Sequence, residues 1–258
     1  KGQWTWDVFV YYTKKLTADK DGNGTPDIWG CVVPNPSEFF KNLVYSNNGK
    51  FVAEAENGDT ISTINSSKVI KTFNYFNELV NVHKSVLALG TGNSFEIAKQ
   101  VMTERRGAIY AYNTNPLTEN KERLGMVYYP KGPDADKYIA AYDASGFYAI
   151  PASVNNPEDI CVILKELISK SAYDHSVDYY KNKYNERDFK IIKYALDNPE
   201  FYYYSSLSLF YVHCYRVVNN IINTPYITES LIKEAIEEAN VNAQAYLDGL
   251  WFCNNGIS

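Results

Sequence analysis

Apolar residues switch between helical and strand spacing along this chain, and a core built from such segments is an α/β core, with helices laid over a mixed sheet. Thr5 to Leu16 opens on a residue suited to an N-cap and carries Trp6, Phe9, Val10 and Leu16 on one helical stripe. A polar loop over 17–27 follows, and Ile28 to Val33 reads as a strand. Pro36 and Ser37 then restart a helix through Phe39, Phe40, Leu43 and Val44. Phe51 to Thr63 forms a candidate hairpin turning at Asn57-Gly58.

Val69, Phe73, Phe76 and Val80 fall at spacings that bury one helical face. Asn93 or Ser94 caps a further helix holding Ile97, Ala98, Val101 and Met102, and Ala108 to Tyr112 follows as a strand. More strands are predicted at Leu124 to Tyr129, Tyr138 to Tyr142 and Phe147 to Ile150. The last hundred or so residues read as mostly helical. One helix is headed by Asn156-Pro157-Glu158 with Ile160, Ile163, Leu164 and Leu167 on its stripe. Others span Asp188 to Leu196, Ser205 to Ile222, and Thr228 onward through Leu231, Ala235, Ala239 and Tyr246.

Charge and composition remove several function classes. The 258 residues carry 25 Lys plus Arg against 30 Asp plus Glu, with no basic block to neutralise a run of phosphates, so nucleic acid is not an expected partner. The longest apolar runs, such as Leu207 to Val212, are far shorter than the roughly 20 residues of a spanning helix. Lys1 is not an initiator Met and no leader precedes Trp4, so the chain is expected to be mature or cut from something longer. Cys31, Cys161, Cys214 and Cys253 have no CxxC spacing; four cysteines allow three pairings or free thiols, and the sequence leaves these open. A surface supplied with 26 Asn and 23 Tyr suits contact with carbohydrate, whose C–H faces stack on rings and whose hydroxyls seek amides and carboxylates.

The sharpest local pattern is Asp19-Lys20-Asp21-Gly22-Asn23-Gly24-Thr25-Pro26-Asp27, where oxygen side chains recur at every second residue. Calcium takes six to eight oxygens, and Asp19, Asp21, Asn23, the Thr25 carbonyl and Asp27 match the first nine positions of an EF-hand loop. Gly30 occupies the twelfth position, where such loops place a bidentate Glu. Structural calcium is the expected cofactor. For catalysis, His83, His175 and His213 form no HExxH-like pair, and neither GxSxG nor a phosphate loop is present.

Six stretches, in order, resemble family-1 extracellular solute-binding proteins, the ABC sugar receptors that include the maltodextrin-binding protein. They are Thr5-Trp6-Asp7-Val8-Phe9 with Leu16-Thr17-Ala18-Asp19 and its loop; Tyr45-Ser46-Asn47-Asn48-Gly49-Lys50-Phe51; Gly125 to Pro133; Ser145-Gly146-Phe147-Tyr148-Ala149-Ile150-Pro151; Asn155-Asn156-Pro157-Glu158; and Ala235 to Ala243. The resemblance implies a periplasmic-binding-protein-like (type II) lobe, with a mixed sheet flanked by helices and a helical carboxy-terminal third. It implies the carboxy-terminal part of such a protein, with a main lobe of 1–111 and 152–258 and a segment, 112–151, crossing into an amino-terminal lobe. The implied work is reversible sugar or oligosaccharide binding in an interlobe cleft for ABC permease subunits, without catalysis. The implied place is extracellular, on a lipid anchor in a Gram-positive bacterium, or periplasmic. By resemblance Glu38, Phe39, Tyr112, Asn115 and Tyr211 face the ligand, Glu38 standing where maltodextrin receptors have an aromatic ring. Two other readings are a glycan-active hydrolase or lyase, which requires carboxylates about 5 to 9.5 Å apart in a groove, and a calcium-stabilised adhesion or scaffold module.

Overall fold

The computed structural model describes residues 3–90, 92–112, 125–143, 150–151, 153–169, 171–202 and 210–255. Local signals start the first helices where the sequence places them. Thr5 Oγ1 accepts from the Val8 amide at 3.5 Å ahead of α1 (Trp6–Leu16). Asn35 Oδ1 accepts from the Glu38 amide at 3.1 Å, with Pro36 in the first turn of α2 (Pro36–Ser46). Between them lies β1 (Trp29–Val33). Next come the antiparallel pair β2 (Val52–Glu54) and β3 (Thr60–Ser62), joined through Gly58 at φ +85°, then α3 (Ser67–Asn77) and a π-helical turn, Glu78–Val82.

Strand β4 (Val86–Ala88), helix α4 (Ser94–Thr103) and strand β5 (Gly107–Tyr110) complete a three-stranded sheet ordered β4-β1-β5. Both neighbours run parallel to β1, with Cys31 opposite Val86 and Val32 opposite Tyr110. Parallel strands need cover on both faces, and β1 obtains it: Cys31, Val32 and Val33 are all 0% exposed. Cys31 and Val33 join the large core, whereas Val32 meets Ala98, Val101 and Met102 of α4.

Phe39, Phe40, Leu43, Phe51, Val69, Phe73 and Phe76 fill the large core, Phe40 stacking on Phe73 at 4.1 Å. Two late helices close it, α8 (Tyr215–Asn223) with Val217, Val218 and Ile221, and α9 (Glu229–Asn255) with Ile232, Ile236 and Ala243. A second assembly lies between these parts of the chain. Strand β6 (Ala140–Asp143) pairs in parallel with β7 (Pro199–Tyr202), and α5 (Pro157–Ser169), α6 (Ser171–Lys183) and α7 (Glu186–Asp197) make the crossover. None of the described side chains of α5, α6 and α7 enters the large core.

Several predictions are corrected. Leu124 lies outside the described residues, and 125–129 pairs with no strand there; its amide and carbonyl groups instead find side chains, as when Met126 N donates to Asp188 Oδ1 at 3.1 Å. Residues 147–149 of another predicted strand also lie outside. Of the predicted helix from Ser205, residues 205–209 fall outside, and a π-helical turn, Phe210–Cys214, leads into α8. Strands β4 and β7 and helix α6 were not predicted. Leu16, expected on the buried stripe of α1, is exposed, and Thr13 takes the place facing β1. Among the described residues Cys31, Cys161 and Cys214 are free thiols.

Candidate functional site

Parallel strands end on one side, and in open α/β sheets ligands bind in the crevice outside the carboxyl ends of the strands. Here those ends lead into the first turn of α2, the segment before α4, and Ala111-Tyr112. Glu38 sits in the first turn of α2, its carboxylate 3.0 Å from the Lys41 ammonium. The Lys41 side chain is 3% exposed and that of Glu38 24%, so the pair presents its acidic member outward. Tyr112 meets the edge of Phe95, at the start of α4, with ring centres 4.9 Å apart. Burial raises the Tyr129 hydroxyl above the usual phenol range, and Cys31, Glu38 and Tyr112 add to the rise. Tyr110 has a buried hydroxyl with no hydrogen-bond partner among the described residues, and burial pushes its pKa up to about 12.

Phe39 is 1% exposed and lies among Phe9, Phe76 and Tyr129, so its ring is part of the core and offers no face to a ligand. Asn115 lies outside the described residues. Tyr211 falls in the π-helical turn Phe210–Cys214, and its side chain is likewise outside the description. Phe95, Tyr129 and Lys41 escaped the sequence reading; for Lys41 the three-residue spacing from Glu38 was the available signal. A carboxylate acceptor fixed by a buried ammonium can accept hydroxyl hydrogen bonds, and the Phe95 and Tyr112 rings at the same end of the sheet can stack on an apolar sugar face.

The loop after α1 folds onto its own oxygens. Asp19 accepts from the Gly22 amide at 2.9 Å and the Gly24 amide at 2.8 Å, and Asp27 from the Lys20 amide at 2.6 Å. Asn23 Oδ1 accepts from the Thr25 amide at 2.8 Å. Gly22 and Gly24 take left-handed φ of +73° and +85°, and an Ala18–Ile28 bridge closes the loop. Carboxylate oxygens of Asp19, Asp21 and Asp27 come within 4.8 Å of one another. The Gly24 amide, foremost among its causes, holds the Asp19 carboxyl below the usual carboxylate range. This donor set fits a hard cation.

No family model matches the sequence, and no curated protein matches it. Solved structures do. MalE from Bdellovibrio bacteriovorus bound to maltotriose is 15% identical with a TM-score of 0.61, over 96% of this chain and 67% of that one. UspC from M. tuberculosis is 14% identical with a TM-score of 0.62, over 92% and 64%. The maltotriose-binding protein of Thermus thermophilus is 13% identical with a TM-score of 0.60, over 96% and 67%. The fold is therefore that of periplasmic-binding-protein-like (type II) proteins, and the chain spans about two thirds of the length of the structures it matches.

Proposed function

We propose that this chain is the larger, carboxy-terminal part of a solute receptor for an ABC importer, binding a sugar or oligosaccharide reversibly and without catalysis. The observation that carries the reading is the placement of Glu38 after β1, Phe95 after β4 and Tyr112 after β5, all beyond the carboxyl ends of one parallel sheet, in a fold matched by solved sugar-binding proteins. A receptor of this kind works outside the cytoplasmic membrane and delivers to permease subunits. Among the described residues no helix is long and apolar enough to cross a membrane. On this reading a second lobe, which the greater length of the matched structures leaves room for, supplies the opposite wall of the cleft. Spectra of amide-labelled protein titrated with maltose, maltotriose, tagatose and other sugars at millimolar concentration test it. Shifts confined to 34–38, 89–95 and 110–112 are expected, with loss on Tyr112→Ala; silence there from every sugar, or cleavage of an oligosaccharide, overturns the reading.

The same proposal assigns structural calcium to the loop, with Asp19, Asp21, Asn23, Asp27 and the Thr25 carbonyl as ligands. The ion would tie the end of α1 to the start of β1. A ligand bound only by the folded state raises the unfolding midpoint. Calcium is expected to raise it for the wild-type chain and not for Asp21→Ala; an equal rise in both removes the ion from this loop.

A further inference from the structure

We infer that the sugar taken by this site is uncharged, and that Glu38 and Glu96 turn away uronic acids and sugar phosphates. The inference rests on the receptor reading above and names the ligand class of that same site. Helix N-termini gather anions, because their amides and their dipole both favour negative charge. Two helices begin beyond the carboxyl ends of this sheet, α2 after β1 and α4 after β4, and each answers that attraction from within its own first turn. In α2 the Glu38 amide already donates to Asn35 Oδ1 at 3.1 Å, and the Glu38 carboxylate stands in the same turn. In α4 the first turn carries Glu96, which is exposed. An anion arriving at this end of the sheet meets acidic side chains at both helix starts.

Lys41 does not reverse this. Its ammonium touches both Glu38 carboxylate oxygens, at 3.1 and 3.0 Å, and does so from the interior, for the Lys41 side chain is 3% exposed and that of Glu38 24%. A ligand therefore reaches the carboxylate first, and a like charge within about 4 Å outweighs an opposite charge about 3 Å farther off. A buried ion pair stabilises a fold little or not at all relative to apolar residues of the same volume. What this pair supplies is a carboxylate held in one place, an acceptor suited to hydroxyl groups. The rings act in the same direction. Phe95 is 37% exposed and meets Tyr112 edge to face, and the negative faces of such rings suit C–H groups and not carboxylates or phosphates.

The test extends the sugar titration so that each neutral sugar stands beside its own uronic acid or 6-phosphate, glucose with glucuronate and galactose with galacturonate among them. The neutral member is expected to bind about tenfold more tightly or better. An acid or phosphate that binds as tightly as its neutral parent overturns this inference and leaves the receptor reading standing; silence from every member, neutral or anionic, sinks the receptor reading and this one with it. Glu38→Gln alone would leave the Lys41 ammonium buried beside a neutral amide, so the variant is the pair Glu38→Gln, Lys41→Met, which removes both charges at nearly constant volume. Its unfolding midpoint is expected to be unchanged or higher, and its preference for the neutral sugar to fall about fivefold or more, with a further fall on Glu96→Gln. Lys41→Met by itself should move that preference the other way, because the carboxylate then stands without the ammonium behind it. A pair that serves only the fold would weaken all ligands alike; a preference that none of these variants moves takes the selection away from Glu38 and Glu96.

Discussion

Gly30 occupies a position where no side chain fits. A Cβ placed there would lie 2.1 Å from the Thr13 carbonyl oxygen, which belongs to the backbone of α1. Gly30→Ala must push α1 away from β1 and is expected to cost about 1–3 kcal/mol, the range for overpacking a tight contact, read as a lower urea midpoint with unchanged slope. An unaltered midpoint would mean that α1 yields freely. The contact also gives a physical reason for the departure seen in the sequence. Position twelve of the calcium-type loop is the point where the chain enters the sheet beneath α1, and a Glu there would collide with the helix. The other instructive residue is His213, beside a cavity of about 90 Å³ lined also by Arg216, Asn220, Glu238 and Asn242. Its Nε2 is buried without a hydrogen-bond partner among the described residues, the Tyr246 ring lies 6.1 Å away, and burial holds its pKa below the ordinary 6.5. The unfolded chain therefore binds a proton more readily, so stability present at neutral pH is lost as the pH falls below 6.5 toward the folded-state value. His83 is shifted the same way, by burial first and then by Lys14. The unfolding midpoint is expected to fall between pH 7 and pH 5, and to fall less for His213→Gln; a profile that the substitution leaves unchanged assigns the effect elsewhere.

Elements set by near neighbours in sequence were legible, and those set by distant partners were not. Helices α1, α2 and α3 announce themselves by caps, a first-turn proline and apolar spacing, and the hairpin by Asn57-Gly58, because each signal acts within a few residues. Strands β4 and β7 have three and four residues in register with strands far along the chain, and nothing local marks them. At the candidate site the same divide appears. Glu38 comes from the resemblance, carried on the helix that Pro36 starts, whereas Tyr129 and Phe95 are brought to this end of the sheet by the fold. Phe39 shows the converse: the resemblance turns it toward ligand, whereas it and its neighbour Phe40 are both buried in the core. The segment carrying Tyr129 is held by Asn47, fully buried after α2, which accepts from the Asp134 amide at 2.9 Å and donates to Asp134 Oδ2 at 3.0 Å. Gly132 N donates to the Ser46 carbonyl, and Lys71 reaches the same Asp134 carboxylate. Asn47→Ala orphans the Asp134 amide, a loss of about 1–3 kcal/mol. Chemical denaturation would register it, and protease cleavage should appear within 130–137; a variant as stable and as resistant as wild type would show that Lys71 and the Ser46 contact suffice.

Across the whole molecule, cooperativity is expected to divide along the line where the core stops. The large core joins α1, α2, α3, α8 and α9 around one face of β1, so loss of any of them exposes aromatic side chains from several others. The assembly of β6, β7 and α5 to α7 is attached by fewer means. Tyr128 stacks on Tyr138 at 5.0 Å and meets Tyr194 edge-on at 5.4 Å, its hydroxyl donates to the Ile191 carbonyl, and the buried Asp188 carboxylate accepts from Met126 N. Opening that assembly breaks these contacts and lifts Ala141 of β6 off the large core but leaves the buried residues of that core together, so its free energy of opening is lower than that of global unfolding. Native-state hydrogen exchange should therefore show amides of 157–197 exchanging through a partial opening, while those of α2 and α3 wait for the whole fold to open. Tyr194→Ala should speed exchange across all of α7 and leave α2 untouched. If 157–197 proves as protected as α2, the aromatic junction couples the two assemblies into one cooperative unit, and the division drawn from the core fails.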